Sequence, residues 1–164
     1  MMAMARSEPV PVAPSLSGQS LTGPSLPGLR AVTPMAVSVP AGAGDLAARI
    51  AAGLAPLSPA LILLFGMPAE GLAALGRALQ GSLAKGGHVI GCSSAGEIGP
   101  GGYAQDTVVA LGFPAASFRV GVGLLSDQAL LPVSGWMASL RRLHAEFRPD
   151  LRRSSFGVLL ADAL

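Results

Sequence analysis

The sequence is poor in cysteine, in aromatic residues and in charge. Its single cysteine, Cys92, excludes an intrachain disulfide and a metal cage built from several thiolates. Aromatic residues make up only 4% of the 164 positions, whereas hydrophobic residues make up 51%, so the core has to be built from leucine, valine and alanine. Charged residues account for 12%, about half of the usual share, which predicts apolar surface that another molecule covers.

Lysine is almost absent as well, and arginine carries nearly all the positive charge. The formal net charge is +2. Five arginines lie in one late stretch, at Arg141, Arg142, Arg148, Arg152 and Arg153. Only one histidine and one phenylalanine lie among them, so the stretch lacks the aromatic platform on which nucleic-acid bases stack. We interpret it as a solvated helix face followed by a loop, and expect no nucleic-acid partner.

No stretch has the pattern of a membrane span or of a secretory signal. Residues Ala51–Ala69 carry no charge, but Pro56, Pro59 and Pro68 interrupt them, whereas a spanning helix needs about 20 continuous apolar residues. Three prolines between positions 9 and 14 likewise break up the N-terminus. A lone cysteine fits a reducing compartment. Together these features predict a cytoplasmic protein with no membrane partner.

The first 30 residues differ in composition from the rest of the chain. They are rich in proline, serine and glycine, and a Ser-Leu-x-Gly repeat begins at Ser15, Ser20 and Ser25. Such a segment buries too little apolar surface to offset the entropic cost of ordering it. We predict a disordered arm over residues 1–30 and one domain over residues 31–164.

From residue 31 onwards, apolar runs of strand length alternate with helical patterns. Leu46, Ile50 and Leu54 recur at a spacing of four, as on one face of a helix. The predicted order is strand Ala36–Val39, helix Asp45–Leu54, strand Ala60–Phe65, helix Ala69–Leu83 and strand His88–Cys92. Three strands joined by two helices are typical of a parallel sheet.

The second half of the chain predicts a different arrangement. Two apolar runs, Thr107–Phe113 and Phe118–Leu125, are separated by only four residues, which indicates an antiparallel hairpin. A helix follows at about Val133–Phe147, and one more buried strand at Phe156–Ala161. This helix is expected to bury Trp136, Leu140, Leu143 and Phe147. The predicted fold class is α/β: a mixed sheet with an initial parallel βαβαβ part, then an antiparallel hairpin, with helices packed on the sheet.

Residues 88–102 carry the clearest functional pattern. A buried strand runs into a predicted loop, Ser93–Gly102, and the whole segment holds five glycines, two serines and one carboxylate. Ligands of open α/β sheets bind at the carboxyl ends of the strands, where free amides form a cradle for a small anion or carboxylate. Glu97 would bind an ammonium group or a sugar hydroxyl. The candidate ligand-binding residues are Gly91, Ser93, Ser94, Gly96, Glu97, Gly101 and Gly102, and we expect no metal, no cofactor and no catalytic residue.

Two nucleotide-binding interpretations fit this segment poorly. It lacks the lysine of a phosphate-binding loop. Pro100 argues against the helix that a dinucleotide fingerprint requires directly after its glycines. The plainest alternative is that the glycines only shape a long turn and that Glu97 pairs with an arginine.

Catalytic interpretations are weak alternatives. The run Gly91–Ala95 resembles a nucleophile elbow with alanine in its last position. A serine hydrolase using Ser93 or Ser94 would then have only His144 downstream as a base. Cys92 lies within an apolar strand, where cysteine usually serves as a small buried hydrophobe.

The string Val89–Ile98, VIGCSSAGEI, resembles the hallmark of FIST N-terminal domains. The flanking helices and strands occur in the same order, with Tyr103 in a following glycine-rich loop and Asp162 after the last strand, so the resemblance covers about residues 31–164. It implies a bacterial sensory domain of signal transduction that binds a small ligand, with amino acids as candidates, and that catalyses no reaction.

Two departures from the family pattern determine which binding partners we expect for this domain. Asp162 is followed by Ala163, where the family usually has glycine, and family members usually continue into a C-terminal FIST region. We therefore expect a domain that is incomplete at its C-terminus, with either that missing region or a signalling protein as its partner. The alternative function is an interaction or structural fragment that docks on a partner chain.

Overall fold

A computed structural model gives the fold, and it describes residues 33–66, 68–124, 132–148 and 154–160. The arm predicted over residues 1–30 lies outside the described residues. The strands are β1 (Met35–Pro40), β2 (Pro59–Phe65), β3 (His88–Cys92), β4 (Glu97–Gly99), β5 (Gly102–Ala104) and β6 (Thr107–Pro114). The helices are α1 (Leu46–Leu54), α2 (Ala69–Ala78) and α3 (Val133–Phe147), and short 3₁₀ turns follow α1 at Ala55–Leu57 and α2 at Gln80–Ser82.

Four strands form a mixed sheet in the order β1-β6-β2-β3. Strand β2 pairs with β3 in parallel, whereas β6 runs antiparallel to both of its neighbours, β1 and β2. The strands β1, β2 and β3 therefore point the same way, as the alternating pattern predicted, but β6 is inserted between β1 and β2. The predicted α/β fold class with a mixed sheet is confirmed.

Helices α1 and α2 pack on one face of this sheet and form the core with it. Ile50 and Leu54 of α1 lie one helical turn apart and are both buried, as their spacing predicted. They meet Ile62 and Leu64 of β2, which point to the same face because strand side chains alternate. The rest of this buried cluster is Val39, Leu57, Leu72, Leu75, Leu79, Val108 and Ala110.

The antiparallel hairpin lies elsewhere than predicted. Strands β4 and β5 pair with each other in a two-stranded sheet, so the second half of the predicted loop Ser93–Gly102 is a hairpin. It packs over the face of the sheet opposite the helices, because Gly99 lies against Ser38 and Val109. Three-residue strands that contain glycine are too short for a pattern of alternation to reveal them.

The prediction of a strand at Phe118–Leu125 is wrong over residues 118–124, which join no ladder. This segment runs beside α3 instead, with Gly121 against Phe147. The guanidinium of Arg119 donates hydrogen bonds to the backbone oxygens of Phe147 and Arg148, and lies 4.6 Å from the centre of the Phe147 ring. These bonds satisfy carbonyls that the end of a helix leaves without partners, and they hold the segment along α3 rather than along β6.

The bounds of α3 agree with the prediction, but its burial does not. No residue of α3 is fully buried: Trp136, Leu143 and Phe147 are half-buried, and Leu140 is exposed. The predicted buried strand at Phe156–Ala161 is also wrong over residues 156–160, which are neither strand nor buried. In this segment, the ring of Phe156 lies 6.1 Å from the ring of Phe113, measured between their centroids. The helix and this segment therefore keep apolar surface that the sheet does not cover.

Within the described residues, no helix combines the length and the apolar character needed to cross a membrane.

Two isoleucines offer a matched test of where the core lies. Ile62, in the central strand β2, is 0% exposed, and Ile98, on β4, is 83% exposed. We expect Ile62→Ala to lower the free energy of unfolding by about 2–5 kcal/mol, because it leaves a cavity in the packed core. Ile98→Ala should change it by less than about 0.5 kcal/mol. Urea unfolding followed by circular dichroism measures both, and equal losses would contradict the described core.

Candidate functional site

The ends of four strands meet at one edge of the sheet. Strands β1, β2 and β3 all finish there, and β6 starts there because it runs the other way, so that Thr107 lies opposite Pro40. The amide of Ala41 donates a hydrogen bond of 2.8 Å to the carbonyl of Asp106, which ties the end of β1 to the turn before β6. The register therefore brings three distant parts of the sequence together.

An open cavity of about 540 Å³ lies at this edge. Its polar lining consists of Ser93, Ser94, Glu97, Gln105, Asp106 and Thr107, and Ala41, Pro68 and Ala95 complete the wall. This is the position at which open α/β sheets bind their ligands. Two of these polar side chains are carboxylates, and no lysine, arginine or histidine among the described residues lines the cavity.

Glu97 is the central side chain of this cavity. It is 5% exposed and is the one charged residue that is buried among the described residues. The hydroxyl of Ser94 donates a 2.7 Å hydrogen bond to Oε1, and the hydroxyl of Thr107 donates a 3.1 Å hydrogen bond to Oε2. Each carboxylate oxygen thus has one hydroxyl donor, which offsets part of the cost of burying the group.

Gly66 makes room for this carboxylate at the end of β2. Its φ is +107°, a conformation that side chains rarely adopt, and a Cβ there would lie 3.0 Å from Oε1 of Glu97 and would clash with the carbonyl of Thr107. A residue with a side chain at this position would therefore disturb both the backbone and the carboxylate.

Three of the seven predicted ligand-binding residues come together at the cavity, namely Ser93, Ser94 and Glu97. The four glycines do not line it. Gly91 lies within β3 against the backbone of Leu64, and Gly96 packs on the Tyr103 ring. Gly101 lies in the exposed turn between β4 and β5, and Gly102 is the exposed first residue of β5.

The cavity lining combines the start of the predicted loop with two carboxylates. Glu97, Ile98 and Gly99 pair with residues of β5, so this part of the predicted loop is a ladder and not a row of free amides. Residues 93–96 remain a loop, and residues 100–101 form the turn of the hairpin. Most of the polar side chains that line the cavity therefore carry a hydroxyl group or a carboxylate.

Sequence reasoning missed Gly66, Asp106 and Thr107. The available signal was their position in the sequence. Gly66 directly follows the buried strand β2, Asp106 directly precedes the apolar strand β6, and Thr107 is the first residue of β6. Only the insertion of β6 in antiparallel orientation places these strand ends at the same edge, and that pairing is not local in sequence.

A second open cavity, of about 510 Å³, lies beside the starts of the strands. Its lining consists of Ala51, Ala52, Ala55, Ser58, Gly81, Ser82, Leu83 and Ala84. No charged side chain from the described part of the chain lines it, so it offers fewer groups that could bind a charged ligand than the cavity around Glu97 does. Within the described ranges, no group of three or more His, Cys, Asp or Glu side chains is arranged to hold a metal ion.

The family model of the FIST N domain matches residues 60–164, more than half of the chain. The chain belongs to the FIST N domain family. The resemblance that the string Val89–Ile98 indicated is thereby confirmed. Membership is consistent with a sensory role in signal transduction. No curated protein and no solved structure matches the chain.

The FIST N match includes nearly all of the site. It begins at the second residue of β2 and includes every later strand and helix, and with them Gly66, the two serines, Glu97 and Thr107. Strand β1 and helix α1 precede it, and of the cavity lining only Ala41 comes from that part of the chain.

Glycine substitutions test how this FIST N domain accommodates the buried carboxylate. We expect Gly66→Ala to lower the free energy of unfolding by about 2–4 kcal/mol, since it combines positive φ, which costs about 1–2 kcal/mol, with a clash. Gly86→Ala measures the cost of positive φ alone, because Gly86 has φ +76° and open space around it. Urea unfolding measures both, and equal losses would show that crowding of the Thr107 carbonyl and of Glu97 by the added Cβ contributes nothing.

Proposed function

We propose that this FIST N domain binds a small ligand that carries an ammonium group, and that it acts as a sensor in signal transduction. The observation that carries the proposal is the buried carboxylate of Glu97, held by two hydroxyl groups at the wall of an open cavity. Family membership supports the sensory role.

The hydrogen bonds of Glu97 support a cationic ligand. A carboxylate offers about four acceptor sites, and the hydroxyls of Ser94 and Thr107 use two of them. No cation is paired with Glu97 among the described residues, and Asp106 adds a second carboxylate to the cavity wall. An ammonium group would fill the remaining acceptor sites and neutralise a buried charge, which is favourable because unpaired charges are costly to bury.

Other groups at the cavity suit the carboxylate of an amino acid. Ser93 and Gln105 present a hydroxyl and an amide to the cavity. Pro68, which also lines it, is the N-cap residue of α2, and the start of a helix has free amides and a positive partial charge. A free amino acid, with both charges on one carbon, is therefore the ligand class that we propose.

The same geometry supports binding rather than hydrolysis. The hydroxyl of Ser94 donates to Glu97, and neither His88 nor His144 lines the cavity, so Ser93 and Ser94 have no imidazole base there. We propose that the domain is non-catalytic and works in the reducing environment of a bacterial cytoplasm, where the lone Cys92 stays a thiol.

Binding can be tested on the full chain with the twenty amino acids. We expect at least one of them, at millimolar concentration, to raise the Tm in a thermal-shift screen, because a ligand that binds only the folded state stabilises it. Calorimetric titration of that amino acid should then show affinity lowered roughly 10- to 100-fold in Glu97→Gln, the loss of a charged hydrogen bond.

Two controls make this experiment selective. Glu146→Gln removes the same charge from an exposed position on α3 and should leave the affinity unchanged. The N-acetyl derivative of the same amino acid, which lacks the ammonium group, should fail to bind. Unchanged affinity in Glu97→Gln, or equal binding of the N-acetyl derivative, would refute the proposed role of Glu97.

A further inference from the structure

The cavity around Glu97 has a second carboxylate, that of Asp106. The two residues come from different parts of the sequence, but Thr107 connects them. Its hydroxyl donates the 3.1 Å hydrogen bond to Oε2 of Glu97, and Asp106 is the residue directly before it. Consecutive Cα atoms are about 3.8 Å apart, so both carboxylates belong to one stretch of the cavity wall. Glu97 is buried and Asp106 is exposed, which places one carboxylate deep in the cavity and the other nearer to solvent.

Neither carboxylate has a cationic partner among the described residues. The ion pair found there joins Arg142 to Glu146, and neither of these residues lines the cavity. Within the same part of the chain, the side chain of Asp106 also makes no hydrogen bond. A buried negative charge is costly unless a positive charge neutralises it, and a second carboxylate nearby adds repulsion. A ligand with a single ammonium group would neutralise one of the two carboxylates and leave the other unpaired.

Charge balance therefore distinguishes between classes of amino acid. An amino acid with a neutral side chain brings one ammonium group, but it also brings a carboxylate into a cavity that already has two. Lysine, ornithine and arginine bring a second cationic group, which can pair with Asp106 while the α-ammonium group pairs with Glu97. Complementary charges of this kind favour one ligand over another more than they raise affinity in general.

We infer that the cavity prefers an amino acid with a cationic side chain, and that Asp106 is the residue that determines this preference. The preference rests on the amino-acid binding proposed above, because Glu97 and the α-ammonium group provide the part of the site that all amino acids share. Ala41, Pro68 and Ala95 complete the wall, and they suit the methylene stem of such a ligand, since long cationic side chains bury their stems along apolar surface.

Two other cationic ligands fit the lining less well. A Ca²⁺ ion takes about six to eight oxygen ligands, many of them from carboxylates. Within the described ranges, no group of three or more His, Cys, Asp or Glu side chains is arranged to hold a metal ion. A diamine without a carboxylate would leave unused the groups that suit one, namely Ser93, Gln105 and the start of α2. Both ligands therefore serve as comparisons in the experiment.

Calorimetric titration of the full chain with L-lysine and L-norleucine tests the preference. These two amino acids differ only in the ammonium group at the end of the side chain. We expect lysine to bind about three- to tenfold more tightly than norleucine, a moderate factor because Asp106 is exposed and solvent screens its charge. The factor should decrease when NaCl is raised from about 20 to about 500 mM, because salt screens exposed charges.

Two variants remove the Asp106 carboxylate in different ways. Asp106→Asn keeps the size of the side chain, and Asp106→Gly suits the left-handed backbone at this position, where φ is +53°. In both variants the affinities for lysine and norleucine should lie within about twofold of each other, and norleucine should bind at least as tightly as it does to the wild type. Glu146→Gln removes an exposed carboxylate of α3 and should retain the preference for lysine. Circular dichroism confirms that each variant is folded.

The outcomes separate this preference from the proposed function. Equal binding of lysine and norleucine to the wild type, or a preference for lysine that survives in both Asp106 variants, would overturn the inference and leave amino-acid binding intact. Binding of neither amino acid, together with a thermal-shift screen in which none of the twenty raises the Tm, would overturn both.

The two comparison ligands give further outcomes that would overturn the inference. Cadaverine is lysine without its carboxylate, and equal or tighter binding of cadaverine would assign the cavity to diamines. Displacement of lysine by millimolar CaCl₂ in the wild type, but not in Asp106→Asn, would assign the two carboxylates to a metal ion. We expect cadaverine to bind more weakly than lysine, and CaCl₂ to leave the binding of lysine unchanged beyond the effect of its ionic strength.

Discussion

The antiparallel insertion of β6 between β1 and β2 is the constraint on which the candidate site depends. Because β6 runs against its neighbours, its first residue and the turn before it lie where β1, β2 and β3 end. Thr107 is thereby placed within hydrogen-bond distance of a carboxylate from β4. A sheet with three neighbouring parallel strands would have left that carboxylate without its second hydroxyl donor.

The site combines a buried charge with a backbone that makes room for it. Glu97 is buried without a cationic partner among the described residues, and its two hydroxyl bonds offset only part of the cost of removing a carboxylate from water. Gly66 leaves the space into which the carboxylate reaches. Natural proteins keep such costly arrangements mostly at functional positions, which is why the cavity around Glu97 is the centre of the proposed function.

The sequence predicted those parts of the fold that local patterns determine. The helices α1, α2 and α3 and the strands β2, β3 and β6 follow from apolar periodicity and length. The β4–β5 hairpin was missed because its strands have three residues each. The segment 118–124 was misread because its apolar run suits a strand, whereas the bonds of Arg119 to the end of α3 hold it elsewhere. Tertiary contacts of this kind override local preference.

The candidate site likewise has a part that the sequence predicted and a part that depends on strand pairing. Ser93, Ser94 and Glu97 lie within five residues of each other and follow a recognisable strand, so the sequence alone brought them together. Gly66 and Thr107 belong to the site only through the pairing of β2 with β6. That pairing joins residues that are between 44 (Phe65 with Val109) and 55 (Pro59 with Pro114) positions apart, and the free energy that selects it comes from packing and not from any short motif.

The alternation of β4 has a mechanical consequence. Glu97 points into the protein, and the next residue, Ile98, is on the outer side, opposite Tyr103 of β5. In a strand this short, a rotation that moves one side chain inward swings its neighbour outward. A ligand that shifts the Glu97 carboxylate would therefore also shift the Ile98–Tyr103 pair at the surface. A change inside the fold would thereby alter a surface that a neighbouring molecule can contact.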